Sequence, residues 1–242
     1  MTPMRELAGK RALVIGGTGG IGRAIAVALA QDGAELYIHG GRSRERLAAA
    51  LAAARSFGVQ ARGLLREIDG EVEPFLTFCP EPDLVVAAHG PFLRKPLIET
   101  TAEDWRWMTL INLAFPAALI SAILPGMIAR KYGRILLFGG TDTGTIRGFA
   151  TTPAYSAAKT GLAVVARSVA KTAARSGVTC NIVCPGLVDT EYADAETRAY
   201  NRAKSPTGSP LTPETVAKTA LHILQSPSLN GAIVQVDEGV DL

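Results

Sequence analysis

The chain has 242 residues, 25 of them basic and 22 acidic for a net charge of +3, and 48% are hydrophobic. That length and apolar content suit one α/β unit, residues 1–242, with a sizeable core. So slight a charge excess argues against a nucleic-acid partner, and the nearest thing to a basic block, Arg42, Arg44 and Arg46, is interrupted by Glu45. Met1 to Lys10 lacks the apolar run of a signal peptide. The most membrane-like stretch, Leu110 to Ala129, contains Asn112, Pro116, Ser121, Pro125 and Gly126, and reads as a buried or interface helix rather than a spanning one. Cys79, Cys180 and Cys184 have no metal-ligand spacing, so no metal is expected. On one strand Cys180 and Cys184 would stand roughly 13 Å apart, too far for a disulfide. These features point to a reduced, soluble, cytoplasmic protein with no membrane partner.

Arg11 to Ile15 is a β-prone run. Gly16-Gly17-Thr18-Gly19-Gly20-Ile21-Gly22 follows at once, and then the alanine-rich, helical Arg23 to Gln31. Strand, glycine turn and helix in that order form a phosphate cradle. The glycines let backbone approach a phosphate, and the helix N-terminus supplies amides and a positive dipole end. Gly33 stops the helix, and Ala34 to His39 reads as the second strand. In a dinucleotide fold the tip of that strand selects the cofactor, an acidic residue there bonding the ribose hydroxyls of NAD. Here the tip is His39-Gly40-Gly41-Arg42-Ser43-Arg44, with no carboxylate. A guanidinium suits a 2′-phosphate, so NADP(H) is expected, with Arg42 the main contact and Ser43 and Arg44 secondary.

Ser43 to Phe57 is the next helix, closed by Gly58, and Val59 to Leu65 is a third strand. Arg66 to Pro82 is broken by Gly70, Pro74, Pro80 and Pro82, and has room only for a brief helix. Leu84 to Ala88 is a fully apolar strand. Buried strands alternating with helices imply a parallel sheet covered on both faces. Farther on, Tyr155 to Ala174 is an apolar, alanine-rich helix. Tyr155 and Lys159 lie one turn apart on one face of it. An ammonium beside a phenol favours the phenolate and lowers its pKa, which equips the tyrosine to exchange a proton with a carbonyl or alcohol oxygen.

With these residues in order the chain resembles the short-chain dehydrogenase/reductase family over nearly all its length. Gly16, Gly20 and Gly22 match the family's Gly-x-x-x-Gly-x-Gly loop, with Thr18, Gly19 and Ile21 between them, although Ile15 stands where the family usually has threonine. The family's Asn-Asn-Ala-Gly after the fourth strand is Ala87-Ala88-His89-Gly90 here. Only Gly90 survives, and His89 either faces the cofactor ribose or fills the site. Asn112, in an apolar helix spanning Thr101 to Arg130, resembles the asparagine that holds a water linking the lysine to solvent. Tyr155 and Lys159 match Tyr-x-x-x-Lys, which makes Tyr155 the general acid/base. Lys159 would bond the nicotinamide ribose and tune the phenol. Cys184-Pro185-Gly186-Leu187-Val188-Asp189-Thr190, after a strand Val178 to Val183, resembles the family's Pro-Gly loop. There Pro185, Gly186, Val188 and Thr190 would orient the carboxamide.

One departure matters most. The family ends its fifth strand, here Gly133 to Phe138, with a serine that bonds the substrate oxygen. This chain has no serine between Gly133 and Tyr155. Counting from the strand puts Gly140 at that position, counting back from Tyr155 puts Asp142 there, and anchoring on Gly144 puts Thr141 there. Thr141 is the chemically apt candidate because a hydroxyl donates and accepts; Asp142 and Thr143 are the other candidates. Glu191 to Pro210 is polar and suits a mobile lid over the substrate. Thr212 is positioned to cap a helix running to Gln225, and Gly231 to Val236 is the last strand.

The resemblance implies a single Rossmann-like, doubly wound parallel sheet of about seven strands flanked by helices. It also implies NADP(H)-dependent interconversion of a carbonyl and an alcohol on a small molecule. The apolar helices Leu110–Ala129 and Tyr155–Ala174 are where the family forms oligomers, so a homodimer or homotetramer is expected. The missing serine keeps a second reading open, a dinucleotide-binding regulator or scaffold with little turnover.

Overall fold

The computed structural model describes residues 5–240. Met1–Met4 and Asp241–Leu242 lie outside it, and with them the start of the segment read above for a signal peptide. Seven strands form one parallel sheet: β1 Arg11–Ile15, β2 Glu35–Gly40, β3 Ala61–Leu65, β4 Leu84–Ala87, β5 Gly133–Phe138, β6 Val178–Pro185 and β7 Ile233–Val236. Their order is β3-β2-β1-β4-β5-β6-β7. The order reverses between β1 and β4, which opens the crevice where doubly wound sheets bind ligands at strand C-terminal ends. Register brings the walls of that crevice level, since Ile15 pairs with both His39 and Ala87.

Eight α-helices are described: α1 Gly20–Gln31, α2 Arg44–Arg55, α3 Glu73–Phe78, α4 Ala102–Thr109, α5 Phe115–Ala129, α6 Pro153–Ala173, α7 Ala195–Lys204 and α8 Pro213–Gln225. One face of the sheet is covered by α1, α2 and α8, whose Ile25, Leu29, Leu47 and Ile223 pack with Val14, Ile38, Val86 and Leu136. The opposite face is covered by α5 and α6, whose Phe115, Leu119, Leu162 and Val169 pack with Leu13, Val85, Ile135 and Leu137. Each central strand therefore sends alternate side chains to two cores. This is why β4 and β5 read as unbroken apolar runs, while edge strand β3 exposes Arg62 and Gly63.

Several helix ends follow side-chain chemistry. Ser43 and Thr212 cap α2 and α8 through the amides of Arg46 and Thr215, and Thr101 and Asp104 form a reciprocal box at the start of α4.

Several expectations change. The third strand begins at Ala61 rather than Val59, and the second helix spans Arg44–Arg55 rather than Ser43–Phe57, with Ser43 outside as its cap. The helix expected over Thr101–Arg130 is interrupted by a π-helical turn, Leu110–Ala114, that carries Asn112 just before Pro116. The polar segment 191–210 is not simply a loop, because Asp194 caps α7 within it. Ala102–Ala129 has the length and mean hydropathy, 1.9, of a membrane span. Its residues Met108, Ile111, Phe115, Leu119 and Met127 are buried, the last three against the sheet, as in a core helix.

Candidate active site

The glycine turn after β1 is packed backbone on backbone. A Cβ on Gly22 would lie 2.2 Å from the Gly16 carbonyl oxygen, and one on Gly16, whose φ is 79°, would lie 2.9 Å from the carbonyl oxygen of Ala88. No side chain fits at either position. The turn is also latched by buried His39. The Gly16 amide donates to its Nδ1 at 3.3 Å and its Nε2 lies 2.7 Å from the Arg66 carbonyl. A carbonyl only accepts, so Nε2 carries the proton, and burial lowers the imidazole pKa in keeping with that neutral form.

A cavity of about 690 Å³ opens over this turn. Gly16, Thr18, Gly19, Gly20 and Ile21 of the turn line it together with Arg42, Ser43, His89, Gly90 and Thr190. The helix amides, the close-packed glycines and the guanidinium at the rim fit a phosphorylated dinucleotide. Arg46, which the sequence reading passed over, also lines the cavity, whereas Arg44 does not. Ser43 lines it while its hydroxyl accepts from the Arg46 amide at 3.1 Å.

At the ends of β4 and β5, Lys159 is buried and its ammonium donates to the Phe138 carbonyl at 3.0 Å and the His89 carbonyl at 3.3 Å. Burial pushes its pKa down to about 8. Asn112, also buried, donates from Nδ2 to the Pro91 carbonyl at 3.2 Å, while its Oδ1 has no partner among the described residues. Gly90 sits between the two. A Cβ there would lie 2.1 Å from Asn112 Oδ1 and 3.1 Å from Lys159 Nζ. The π-helical turn thus aims an unpaired amide oxygen toward the lysine across a residue with no side chain.

His89 lines the cavity and also packs into the core beside it. Its ring meets Phe115 edge-on at 5.3 Å, and Nε2 lies 3.1 Å from the Ile111 carbonyl. Burial and the Lys159 charge push its pKa down to about 3, so it is neutral.

Tyr155 and Lys159 come together as expected, with the ammonium 5.9 Å from the ring centroid. The expected lowering of the phenol pKa does not follow. Burial, with the Cys184 thiol adding to it, pushes it up to about 12. Phe92 meets the Tyr155 ring edge-on at 5.0 Å, a neighbour the sequence gave no reason to single out.

The loop after β5 follows the register counted from the strand. A Cβ on Gly140 would lie 2.8 Å from the Tyr155 hydroxyl oxygen, so the position facing the phenol belongs to a glycine. Thr141, preferred on chemical grounds, donates its hydroxyl to the Pro185 carbonyl at 3.3 Å. Asp142 has φ of 64° and pairs with Arg147 at 3.6 Å. Thr143 is buried, and its hydroxyl accepts from the Gly140 amide at 2.7 Å and donates to the Gly140 carbonyl at 2.9 Å. Thr143 therefore latches the loop.

After β6, Gly186 donates to the Val236 carbonyl and Val188 bridges to Leu211, which fixes the backbone between Pro185 and Thr190.

The family model described as "Enoyl-(Acyl carrier protein) reductase" matches residues 16–241. The chain is 32% identical over 209 residues to 3-oxoacyl-[acyl-carrier-protein] reductase FabG of Escherichia coli (strain K12), covering 83% of each chain. It is 31% identical to the Vibrio harveyi protein of the same name, covering 97% of this chain and 98% of that one. Among solved structures it resembles a 3-oxoacyl (acyl-carrier-protein) reductase from Agrobacterium tumefaciens C58 with NADP bound. The TM-score is 0.88 at 27% identity, over 98% of this chain and 96% of that one. Likeness of sequence and of fold along nearly the whole length makes this protein a member of the short-chain dehydrogenase/reductase family of oxidoreductases.

Proposed function

We propose that the chain is an NADP(H)-dependent oxidoreductase interconverting a carbonyl and a secondary alcohol on a small-molecule substrate. The observation that carries this is the placement of the Tyr155 phenol and the buried Lys159 ammonium at the C-terminal ends of the strands, the same end of the sheet as the glycine cradle and Arg42. NADP in the Agrobacterium relative supports the choice of cofactor. The glycine turn, Arg42 and Ser43 would hold the adenosine end and the pyrophosphate. Gly90, Lys159, Pro185, Gly186, Val188 and Thr190 would hold the nicotinamide end.

When bound, the dinucleotide supplies or accepts hydride at C4 of its nicotinamide. In reduction Tyr155 gives its proton to the oxygen of the carbonyl as negative charge develops there, and the product is the alcohol. Lys159, charged below about pH 8, stabilises the phenolate left behind, and a water on Asn112 Oδ1 would return the proton. The second hydrogen bond to the substrate oxygen is assigned to Thr141, which must exchange the Pro185 carbonyl for it. Segment 191–210 would act as the lid.

Exposed Ile146 and Val164, at 96% and 69% of their surface, support a homodimer or homotetramer. Cytoplasmic residence agrees with three buried free thiols. The alternative of a dinucleotide-binding regulator or scaffold draws on Gly140 standing where the family has serine.

The deciding experiment follows NADPH oxidation with a panel of ketones and 3-oxoacyl thioesters, alongside NADPH binding. Tyr155→Phe is expected to lower turnover by roughly 100-fold or more while cofactor affinity stays within about twofold. Parent protein that binds NADPH and reduces nothing in the panel would favour the regulator. Activity retained in Tyr155→Phe would remove the tyrosine assignment.

A further inference from the structure

Helix α1 starts without a cap from its own neighbourhood. Its N-cap, Gly19, has no side chain, and its first turn has no acidic residue. The missing acceptor comes from 171 residues away. The amide of Gly20 faces both oxygens of the Glu191 carboxylate, at 3.1 and 3.0 Å. The segment carrying Glu191 lies directly on the glycine turn. A Cβ on Gly19 would lie 2.5 Å from Glu191 Oε1 and 2.1 Å from the Tyr192 hydroxyl oxygen. The Tyr192 ring sits under the Arg46 guanidinium at 4.8 Å, and Arg198 on α7 holds Asp189 at 3.0 Å and the Thr190 carbonyl at 3.3 Å.

In the same cavity, Arg42 is paired in fork fashion with Glu67, Nε to Oε1 and Nη2 to Oε2. Both side chains are largely exposed, 83% and 60%, so this pair can open at little cost.

The proposed site has two places for phosphate, the amides of α1 for the pyrophosphate and Arg42 for the 2′-phosphate. Each faces a carboxylate of this chain. A helix N-terminus attracts a carboxylate for the same reason it attracts a phosphate, and a guanidinium fork fits either anion. An internal anion on a binding group lowers the fraction of binding-competent protein and weakens apparent affinity in proportion.

We propose that Glu191 and Glu67 are internal competitors for the cofactor's phosphates. Glu191 sets affinity for any dinucleotide and Glu67 sets the preference for NADPH over NADH. The inference rests on the NADP(H) reading above. It also ties cofactor entry to the lid, since Glu191 opens the 191–210 segment and must leave the Gly20 amide as the pyrophosphate arrives.

The test titrates NADPH, NADH and adenosine 2′-monophosphate into the full-length parent, Glu191→Gln, Glu191→Ala and Glu67→Gln by calorimetry. Both Glu191 variants are expected to bind NADPH and NADH about fivefold more tightly, and adenosine 2′-monophosphate, which lacks the pyrophosphate, as the parent does. Glu67→Gln is expected to raise the ratio of NADPH to NADH affinity by about twofold, and to tighten adenosine 2′-monophosphate in step. NADPH affinity in the Glu191 variants that is unchanged or weaker overturns the role of Glu191. An unchanged NADPH-to-NADH ratio in Glu67→Gln overturns the role of Glu67. A parent that binds neither dinucleotide overturns the cofactor reading itself, an outcome distinct from variants that merely fail to gain.

Discussion

Two strands of this sheet end in glycine-rich turns, and the two turns use glycine differently. After β1, the glycines make room for backbone, with Gly22 against the Gly16 carbonyl and Gly16 against the carbonyl of Ala88. After β5, Gly140 makes room for the tip of a side chain, the Tyr155 phenol. Each turn is latched by one buried polar residue, His39 for the first and Thr143 for the second. A glycine hemmed by backbone is fixed by the fold, because main chain cannot yield without moving a strand or a helix. A glycine hemmed by the end of a side chain is a setting that function can change.

The largest effect should come from the first turn. Gly22→Ala puts a methyl group 2.2 Å from a carbonyl oxygen in the first turn of α1. Overpacking against main chain should lower unfolding free energy by about 3 kcal/mol and abolish NADPH binding, read by urea denaturation and by titration. A variant as stable as the parent would erase the distinction between the two turns.

Next in size is the cation beneath the second turn. Lys159 joins the Phe138 and His89 carbonyls at the ends of β5 and β4. Its folded pKa is about 8, against an ordinary 10.5. Below pH 8 both folded and unfolded chains carry the charge, and the fold bears the full cost of burying it. Between pH 8 and 10.5 the unfolded chain binds more protons, so stability rises with pH. A shift of this size corresponds to roughly 3 kcal/mol across that window. The stability of the parent minus that of Lys159→Met should climb by about this amount from pH 8 to 10.5. A flat difference would show that the ammonium is not desolvated as the structure places it.

Much of the frame was legible in the sequence. Strands β1 and β5 run Arg11–Ile15 and Gly133–Phe138 as expected, because each is an apolar run bounded sharply by glycine or a charged residue. The Tyr155–Lys159 pairing was legible because helical spacing alone brings those residues together. What escaped depended on distance along the chain. Nothing local to Glu191 announces that it caps a helix 171 residues earlier. Nothing local to Gly140 distinguishes it from Thr141, because the loop's register is set by Thr143 folding back onto Gly140. The phenol pKa was misjudged for a related reason. Spacing predicts a nearby ammonium, but only the packed structure shows it 5.9 Å from the ring centroid while burial raises the phenol pKa.

The smallest change in stability, and the most informative in activity, is expected at Gly140. Its φ is not in the left-handed region, so Ala or Ser is free of backbone strain there. Loss of unfolded-state freedom even favours the substitution slightly. The obstacle is the Tyr155 hydroxyl, 2.8 Å from the new Cβ, and a phenol tip can withdraw by a few tenths of an ångström. Gly140→Ala should therefore unfold within about 1 kcal/mol of the parent, yet lose turnover by roughly tenfold as the proton donor is displaced from its place. Gly140→Ser makes the same steric demand but adds a hydroxyl that can donate to the substrate oxygen. Turnover in Ser divided by turnover in Ala thus isolates the hydroxyl from the displacement, and it should exceed one. A ratio of one, with both variants slow, would mean that Tyr155 holds the substrate oxygen without help from residue 140. Parental turnover in Gly140→Ala would mean the phenol never depended on the space that glycine leaves, and the contrast between the two turns would then rest on Gly22 alone.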